Sequence, residues 1–406
     1  MKKNLSYYLF DWANSPFSTV VITFIFSSYF VNTIADDKIS GTTMWGWTIS
    51  LSGILLATIA PLLGYLGDYK KNISKILIIF STLLVIFLSF LLWFAQASSS
   101  YIIFTLIIIF AANTLFEIGQ IFYNSELLNF KKTTPLGEFS GKAWSFGYLG
   151  GIFCLLLILI LIIFPERNLF NLDKEKFEHI RICGPIVGLW FLIFSIPFLI
   201  RIKTTRTNFV KENNISFLKS IKNIIRDKKK FNFLIARMIY TDGLITLFSF
   251  GGIYASGTFG FSFNEIIIFG IAINIVAAVG SFAFGFLEDR IGIKRVILIS
   301  LFLLIVICSL ILIIDNKNLF WILGVSIGFF IGSIQSSSRT AIIKISEGKE
   351  LKKIFGLYAV SGKITNFLGP FFVAMATNFF DSQRMGMSTI LIFLIIGFIL
   401  LLRTEI

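Results

Sequence analysis

The sequence predicts an all-α integral membrane protein, with twelve transmembrane helices in two pseudo-symmetric six-helix halves. Three observations carry this reading. First, 56% of the 406 residues are hydrophobic and 14% are charged, whereas a soluble domain carries roughly 25% charged residues. So few charges do not cover the surface of a soluble protein of this length, and the same composition excludes a disordered chain. Second, apolar runs of about 20 residues, the length that crosses a bilayer, fall in two sets of six. The runs are continuous rather than alternating, which excludes a transmembrane β-barrel. Third, short motifs recur between the two sets at one offset.

The first set covers about 7–34, 44–66, 73–94, 101–123, 140–164 and 183–200. The second covers about 233–257, 264–287, 295–314, 319–342, 354–379 and 386–402. One long polar stretch lies between them. The expected organisation is therefore an amino-terminal half over 1–200, a basic linker over 201–231 and a carboxy-terminal half over 232–406. The opening MKKNLSYYLFDWANSPF has the lysines of a signal peptide. Asp11 and Asn14 interrupt its apolar region, however, and no small-residue cleavage site follows, so the first run reads as an uncleaved helix. In the linker, ISFLKSIKNIIRDKKK sets Phe217, Leu218, Ile221, Ile224 and Ile225 on one face opposite basic residues. That pattern suits a helix lying on an anionic leaflet, and a solvated basic loop fits it equally well.

Lys and Arg number 36 against 22 Asp and Glu, a net charge of +14. Twenty-seven of the 36 fall in the termini and loops on the amino-terminal side of the membrane, seven fall on the other side, and Arg237 and Lys363 lie inside segments. The positive-inside rule then puts both termini in the cytoplasm, as expected for a multi-pass protein of a bacterial inner membrane. The basic balance is accounted for by these loops, and no nucleic-acid partner is expected. Cys154, Cys183 and Cys308 sit in apolar runs, and His179 is the single histidine. This supports neither a disulfide framework nor a metal site. No P-loop is present, and no cofactor is expected.

The repeat is specific. GYLGDYKK begins at Gly64 and GFLEDRIGIKR at Gly285, so Asp68 and Asp289 stand 221 residues apart. The tripeptide SGK occurs at Ser140–Lys142 and at Ser361–Lys363, also 221 apart. Such duplication is the pattern of a transporter built from two halves around a midplane site. GFLEDRIGIKR resembles the loop signature of the major facilitator superfamily, G-x-x-x-D-R-x-G-x-[KR]-[KR]. The first copy has Tyr69 in place of its Arg and lacks the second Gly. FDWANS in the first segment resembles the opening of the autophagy-related vacuole effluxer branch and its bacterial relatives. IFYNSELL, SGKAWSFGYLGG, DGLITLFSFGGIYA, QSSSRTAI and IFGLYAVSGKITNFLGP are similar to that branch as well. The resemblance implies secondary transport by alternating access, with efflux of small solutes, amino acids in the fungal members.

Ionisable groups inside a membrane are costly and normally face a bundle interior or an aqueous cavity. In the first segment Asp11 and Asn14 share a face; a gate or coupling role competes with an interfacial cap. In the fourth, Asn113, Glu117, Gln120 and Asn124 lie within about 60° of one another on the helical wheel. That stripe reads as a cavity lining, with helix–helix hydrogen bonding as the alternative. In the seventh, Asp242 shares a face with Thr246 and Ser249, and a structural ion pair is the alternative for Asp242. In the tenth, Gly328, Gly332, Gln335 and Arg339 form one face, and Arg339 holds either an anionic substrate group or a gate partner. In the eleventh, Lys363 and Asn366 share a face ahead of Pro370, with Lys142 of the fifth segment read as the symmetry mate of Lys363. Asn274 of the eighth is a further cavity candidate.

Asp11, Glu117 and Asp242 are thus the candidates for proton coupling. Asn14, Asn113, Gln120, Asn274, Gln335, Arg339, Lys363 and Asn366 are the candidates for substrate contact. Gly64, Asp68, Lys142, Gly285, Asp289 and Arg290 are assigned to gating. The resemblance implies that Asp68 braces the start of the eleventh helix and Asp289 the start of the fifth, where a carboxylate meets the positive end of a helix dipole. Two latches follow as expectations, Asp68 with the Lys363 region and Asp289 with the Lys142 region. The expected partners are a small-molecule substrate, a proton where transport is ion-coupled, and the lipid bilayer; a monomer is expected. An uncoupled facilitator and a lipid or lysolipid flippase of the same fold remain alternatives. A membrane enzyme lacks a nucleophile–base pair or paired carboxylates to build on.

Overall fold

The computed structural model describes residues 3–70, 72–131, 133–165, 170–202, 222, 224 and 226–405. Most of the linker, including the basic amphipathic stretch, lies outside these residues. All regular structure among the described residues is helical. The helices are α1 (Lys3–Ile34), α2 (Lys38–Tyr69), α3 (Ile73–Leu91), α4 (Ile102–Ser125), α5 (Leu136–Ile158) and α6 (Cys183–Arg201). They are followed by α7 (Lys228–Phe259), α8 (Phe263–Ile291), α9 (Ile293–Ile313), α10 (Lys317–Ile345), α11 (Leu351–Ser361), α12 (Leu368–Phe380) and α13 (Gln383–Leu402). Eleven helices among the described residues are long and apolar enough to cross a membrane. Their outward faces are apolar: Ile103, Ile200 and Ile313 are all more than 70% exposed. A surface of this kind is soluble only in lipid.

The eleventh apolar segment departs from expectation. It is two helices, α11 and α12, separated by turns over 362–367. Pro370 contributes to the break. In a continuous helix its ring would clash with the carbonyl of Asn366, whereas in the first turn of α12 its missing N–H costs nothing. Gly362 ends α11 on the other side. Lys363 therefore lies in the break and not inside a helix. The first segment is irregular in another way, with π-helical stretches at Phe17–Phe24 and Phe30–Ile34. Helix starts in the second half carry side-chain caps: Asp227 accepts from the Lys229 and Lys230 amides, and Ser262 with Glu265 closes a capping box on α8.

The chain forms two compact units. The first comprises 1–56, 70–126 and 146–205. Within it α3 packs on α4 and α6, and α1 packs on α6. Tyr7 stacks on Tyr123 at 4.3 Å, and Trp12 stacks on Trp190 at 5.7 Å. The second comprises 57–69, 127–145 and 206–406. Its main packings are α8 on α10, α7 on α13, and α9 on both α10 and α13. Glycines set the first of these: a Cβ at Gly328 would lie 2.2 Å from the Ile273 carbonyl oxygen, and one at Gly332 would lie 2.2 Å from that of Ala277. The units differ from the sequence halves in one respect. The end of α2 and the start of α5 belong to the second unit, and the contacts responsible are those of the two junctions described next.

Candidate functional site

Both signature aspartates meet a helix amino terminus inside the second unit. Asp68, at the end of α2, accepts the Lys352 amide on Oδ1 at 3.2 Å and the Lys353 amide on Oδ2 at 2.8 Å. Asp289, at the end of α8, accepts the Gly137 amide on Oδ1 at 2.9 Å and the Glu138 amide on Oδ2 at 2.7 Å. Lys352 and Lys353 are the second and third residues of α11, and Gly137 and Glu138 are the same two positions of α5. Each carboxylate thus satisfies two of the four orphan amides of a first turn and opposes its partial positive charge. The chain approaches closely at both. A Cβ at Gly64 would lie 2.5 Å from the Lys352 carbonyl oxygen, and one at Gly285 would lie 2.8 Å from that of Gly137.

This geometry corrects the expected partners. Asp68 binds the start of α11 rather than the Lys363 region, because α11 begins at Leu351 and ends before Lys363. Lys142 lies one turn beyond the amides that Asp289 holds; it pairs with Glu138 and sits 5.1 Å over the Phe286 ring. The SGK tripeptides are not structural mates. The paired amides differ by 215 positions, not 221, so Gly141 corresponds to Gly356 and Lys142 to Leu357. Contacts agree: a Cβ at Gly141 would lie 2.3 Å from the Ser281 carbonyl oxygen, and one at Gly356 would lie 2.5 Å from that of Ala60. Arg290 is exposed and makes no hydrogen bond or ion pair among the described residues.

Further groups complete these two junctions, and sequence reading missed them. Lys352 Nζ donates to the Gly67 carbonyl at 3.1 Å, and Lys353, 1% exposed, pairs with Glu350 at 2.5 Å. The Tyr69 hydroxyl donates to Glu350 at 3.2 Å. At the other junction, Thr340 donates to the buried Glu288 at 2.5 Å. Arg339, 2% exposed, donates through Nε to Ser140 Oγ at 3.0 Å and through Nη2 to the Ser140 carbonyl at 2.8 Å. Its guanidinium lies 5.6 Å from the Trp144 ring centroid. Ser140 Oγ in turn donates to the Ser336 carbonyl at 3.0 Å. Arg339 thus ties α10 to the first turns of α5. The available signal was weak, since Lys352 and Lys353 read only as part of a positive loop.

The polar positions of the spans divide. In α4, Asn113 donates to Ser52 Oγ of α2 at 2.6 Å, the helix–helix bond held open above. Glu117 and Gln120 are half-buried. In α1, Asp11 and Asn14 are buried, and a Cβ at Gly147 of α5 would lie 3.5 Å from Asp11 Cβ. Asn274 spends its amide on the Gly270 carbonyl of its own helix at 2.8 Å, and Gln335 is half-buried. In α7, Arg237 donates to the Tyr358 carbonyl and to Ser361 Oγ, each at 2.6 Å, which ties it to the last turn of α11. Asp242 is buried on the same helix. Among the described residues no group of three or more His, Cys, Asp or Glu could hold a metal ion.

Comparison with known proteins places this geometry. The family described as "Vacuole effluxer Atg22 like" matches residues 131–406. An uncharacterized MFS-type transporter of Bacillus subtilis (strain 168), YxiO, is 24% identical over 98% of this chain and 94% of its own length. Autophagy-related protein 22 of Kluyveromyces lactis is 23% identical over 64% of this chain, which spans about half of that protein. Among solved structures, the major facilitator transporter FucP in its outward conformation matches with a TM-score of 0.77 at 14% identity, covering 99% of this chain and 98% of FucP. A bacterial homologue of the iron transporter ferroportin, in an outward-facing state, matches with a TM-score of 0.71 at 10% identity over 99% of both chains. These likenesses identify the major facilitator fold.

Proposed function

We propose that this chain, which belongs to the vacuole effluxer Atg22-like family of major facilitator transporters, is a secondary transporter of small organic solutes, amino acids first among them, working by alternating access. The observation that carries the reading is the pair of carboxylate latches. Asp68 and Asp289 come from opposite halves of the sequence, and each grips two amides at the start of a helix from the other half. A charge-assisted bond of this type is strong when made and is lost on a displacement of a few ångströms. Two such bonds at matched positions suit a gate that opens by a swing common to both. The charge bias of the loops supports a cytoplasmic side for this gate.

Proton coupling is part of the proposal. Asp11 and Asp242 are buried acids in the spans, and Glu117 is half-buried in a third. One neighbour of the same fold is described as a fucose:proton symporter. Asn14, Gln120, Gln335 and Asn366 remain the side chains assigned to substrate contact. The experiment is a flux assay with purified protein in liposomes that enclose a pH dye, to which amino-acid pools are added one at a time. A pool-dependent pH change absent from empty liposomes supports the reading. It should be lost in Glu117→Gln at unchanged protein level. A labelled amino acid that never crosses, with or without a pH gradient, refutes the substrate class.

A further inference from the structure

We propose that the break between α11 and α12 is a monovalent-cation site whose charge is the carboxylate of Asp242. The proposal rests on the transporter reading for its purpose. Asp242 is 1% exposed; no side chain among the described residues hydrogen-bonds its carboxylate, which faces the Gly369 amide at the start of α12. An ionised carboxylate buried in this way is costly unless a counter-charge or a proton joins it. Among the described residues no counter-charge pairs with it. Arg237, on the same helix, is about 140° away around the axis and is committed to Tyr358 and Ser361. The other charged or titratable side chains on elements packed around this level of α7 are Tyr358 and Lys363 in and before the break and Arg339 of α10, which is bound to Ser140. The twelfth segment, α13, presents Phe393 and Leu394 next to Gly243. Asp242 forms no ion pair among the described residues.

Two oxygen atoms meet at the start of α12 instead. A Cβ at Gly369, the second residue of that 13-residue helix, would lie 1.9 Å from Thr246 Oγ1 and 3.2 Å from Asp242 Oδ1. Thr246 gives its proton to the Asp242 carbonyl at 2.7 Å, which leaves its lone pairs available. In the break itself Thr365 Oγ1 and Asn366 Oδ1 are buried without a hydrogen-bond partner. The carboxylate and hydroxyl that meet there, and the hydroxyl and amide carbonyl left without partners in the adjoining break, are the donor types that a small hard cation, sodium, or a single shared proton takes. Transmission has a physical path. The eleven residues of α11 form a rod about 16 Å long. Asp68 grips its first turn, Arg237 its last, and the cation site lies just past the hinge.

The test is thermal unfolding of the purified full chain, followed by tryptophan fluorescence. Sodium chloride is compared with choline chloride at equal ionic strength, and pH is varied from 8 to 5.5 in choline. A ligand that binds the folded form raises the unfolding midpoint. A rise of about 3 °C or more with sodium identifies sodium. The same rise on acidification, with no sodium effect, identifies the proton. In either case Asp242→Asn should abolish the response. Asp242→Glu should keep it with the half-saturation shifted threefold or more. Where Asp242→Asn does not accumulate as folded protein, Thr365→Val with Asn366→Leu replaces it, with a threefold or larger weakening expected. A response that is the same in wild type and variants, or absent from wild type, overturns the proposal. The readout needs no transported substrate. A chain that moves no amino acid yet shows the response retains the site while losing the proposed function.

Discussion

Replacing Asp68 by asparagine removes one of the two grips of the latch on α11. The carboxylate accepts the Lys352 and Lys353 amides at 3.2 and 2.8 Å. An asparagine keeps one acceptor oxygen and turns an NH2 group toward the second amide. One charge-assisted hydrogen bond is lost, worth about 1.5–3 kcal/mol, together with roughly 0.5–1 kcal/mol of interaction with the helix dipole. The sum is about 3 kcal/mol, or roughly 150-fold in the balance between latched and open states. A protein latched about 99% of the time would then be latched about 40% of the time. The assay is crosslinking of Tyr69→Cys with Lys349→Cys by a short bifunctional thiol reagent. Tyr69 lies 3.2 Å from Glu350, the neighbour of Lys349. Cys154, Cys183 and Cys308 are buried, so the reagent meets the introduced thiols first. Adding Asp68→Asn should lower the crosslinking rate at least twofold and make it sensitive to substrate. An unchanged rate would show that the two hydrogen bonds carry no share of the closed state, and the latch argument would fail.

Three other substitutions test the packing and the polar positions. Gly356→Leu puts a side chain where a Cβ alone would meet the Ala60 carbonyl at 2.5 Å; the same crosslink should be lost, while Gly53→Ala, with nothing within 4 Å of its Cβ, should leave it intact. Arg339→Lys gives up the paired hydrogen bonds to Ser140, at a cost of about 2 kcal/mol, and the unfolding midpoint should fall by about 2–3 °C; an unchanged midpoint would refute the buried grip. Asn113→Leu breaks the bond to Ser52 and should cost about 1 kcal/mol of stability while solute flux persists; loss of flux at full stability would return Asn113 to the substrate site.

The apolar runs determined the fold class by themselves. Around bilayer-length segments without charge there is one stable backbone, the helix, and the described helices start and stop within a few residues of the expected runs, except in the eleventh. The two aspartates of the repeat were also legible, because the residue type and its loop position already imply a helix dipole to meet. Their partners were not. The SGK coincidence pointed to Lys142 and Lys363, whereas backbone amides carry no sequence label, and the choice of Gly137, Glu138, Lys352 and Lys353 depended on where two helices begin in space. The break in the eleventh segment was half legible: Pro370 was visible, but proline inside α2 and α6 breaks neither helix, so only the packed backbone decides. Asn113, Asn274 and Arg339 teach the same limit. Helical spacing puts a polar group on a face, and tertiary structure decides whether that face meets a serine, its own carbonyl or a neighbouring helix. The reason is one of range. Hydropathy and helix periodicity act within a segment, whereas a buried hydrogen bond is settled by whichever donor or acceptor another segment brings within about 3 Å.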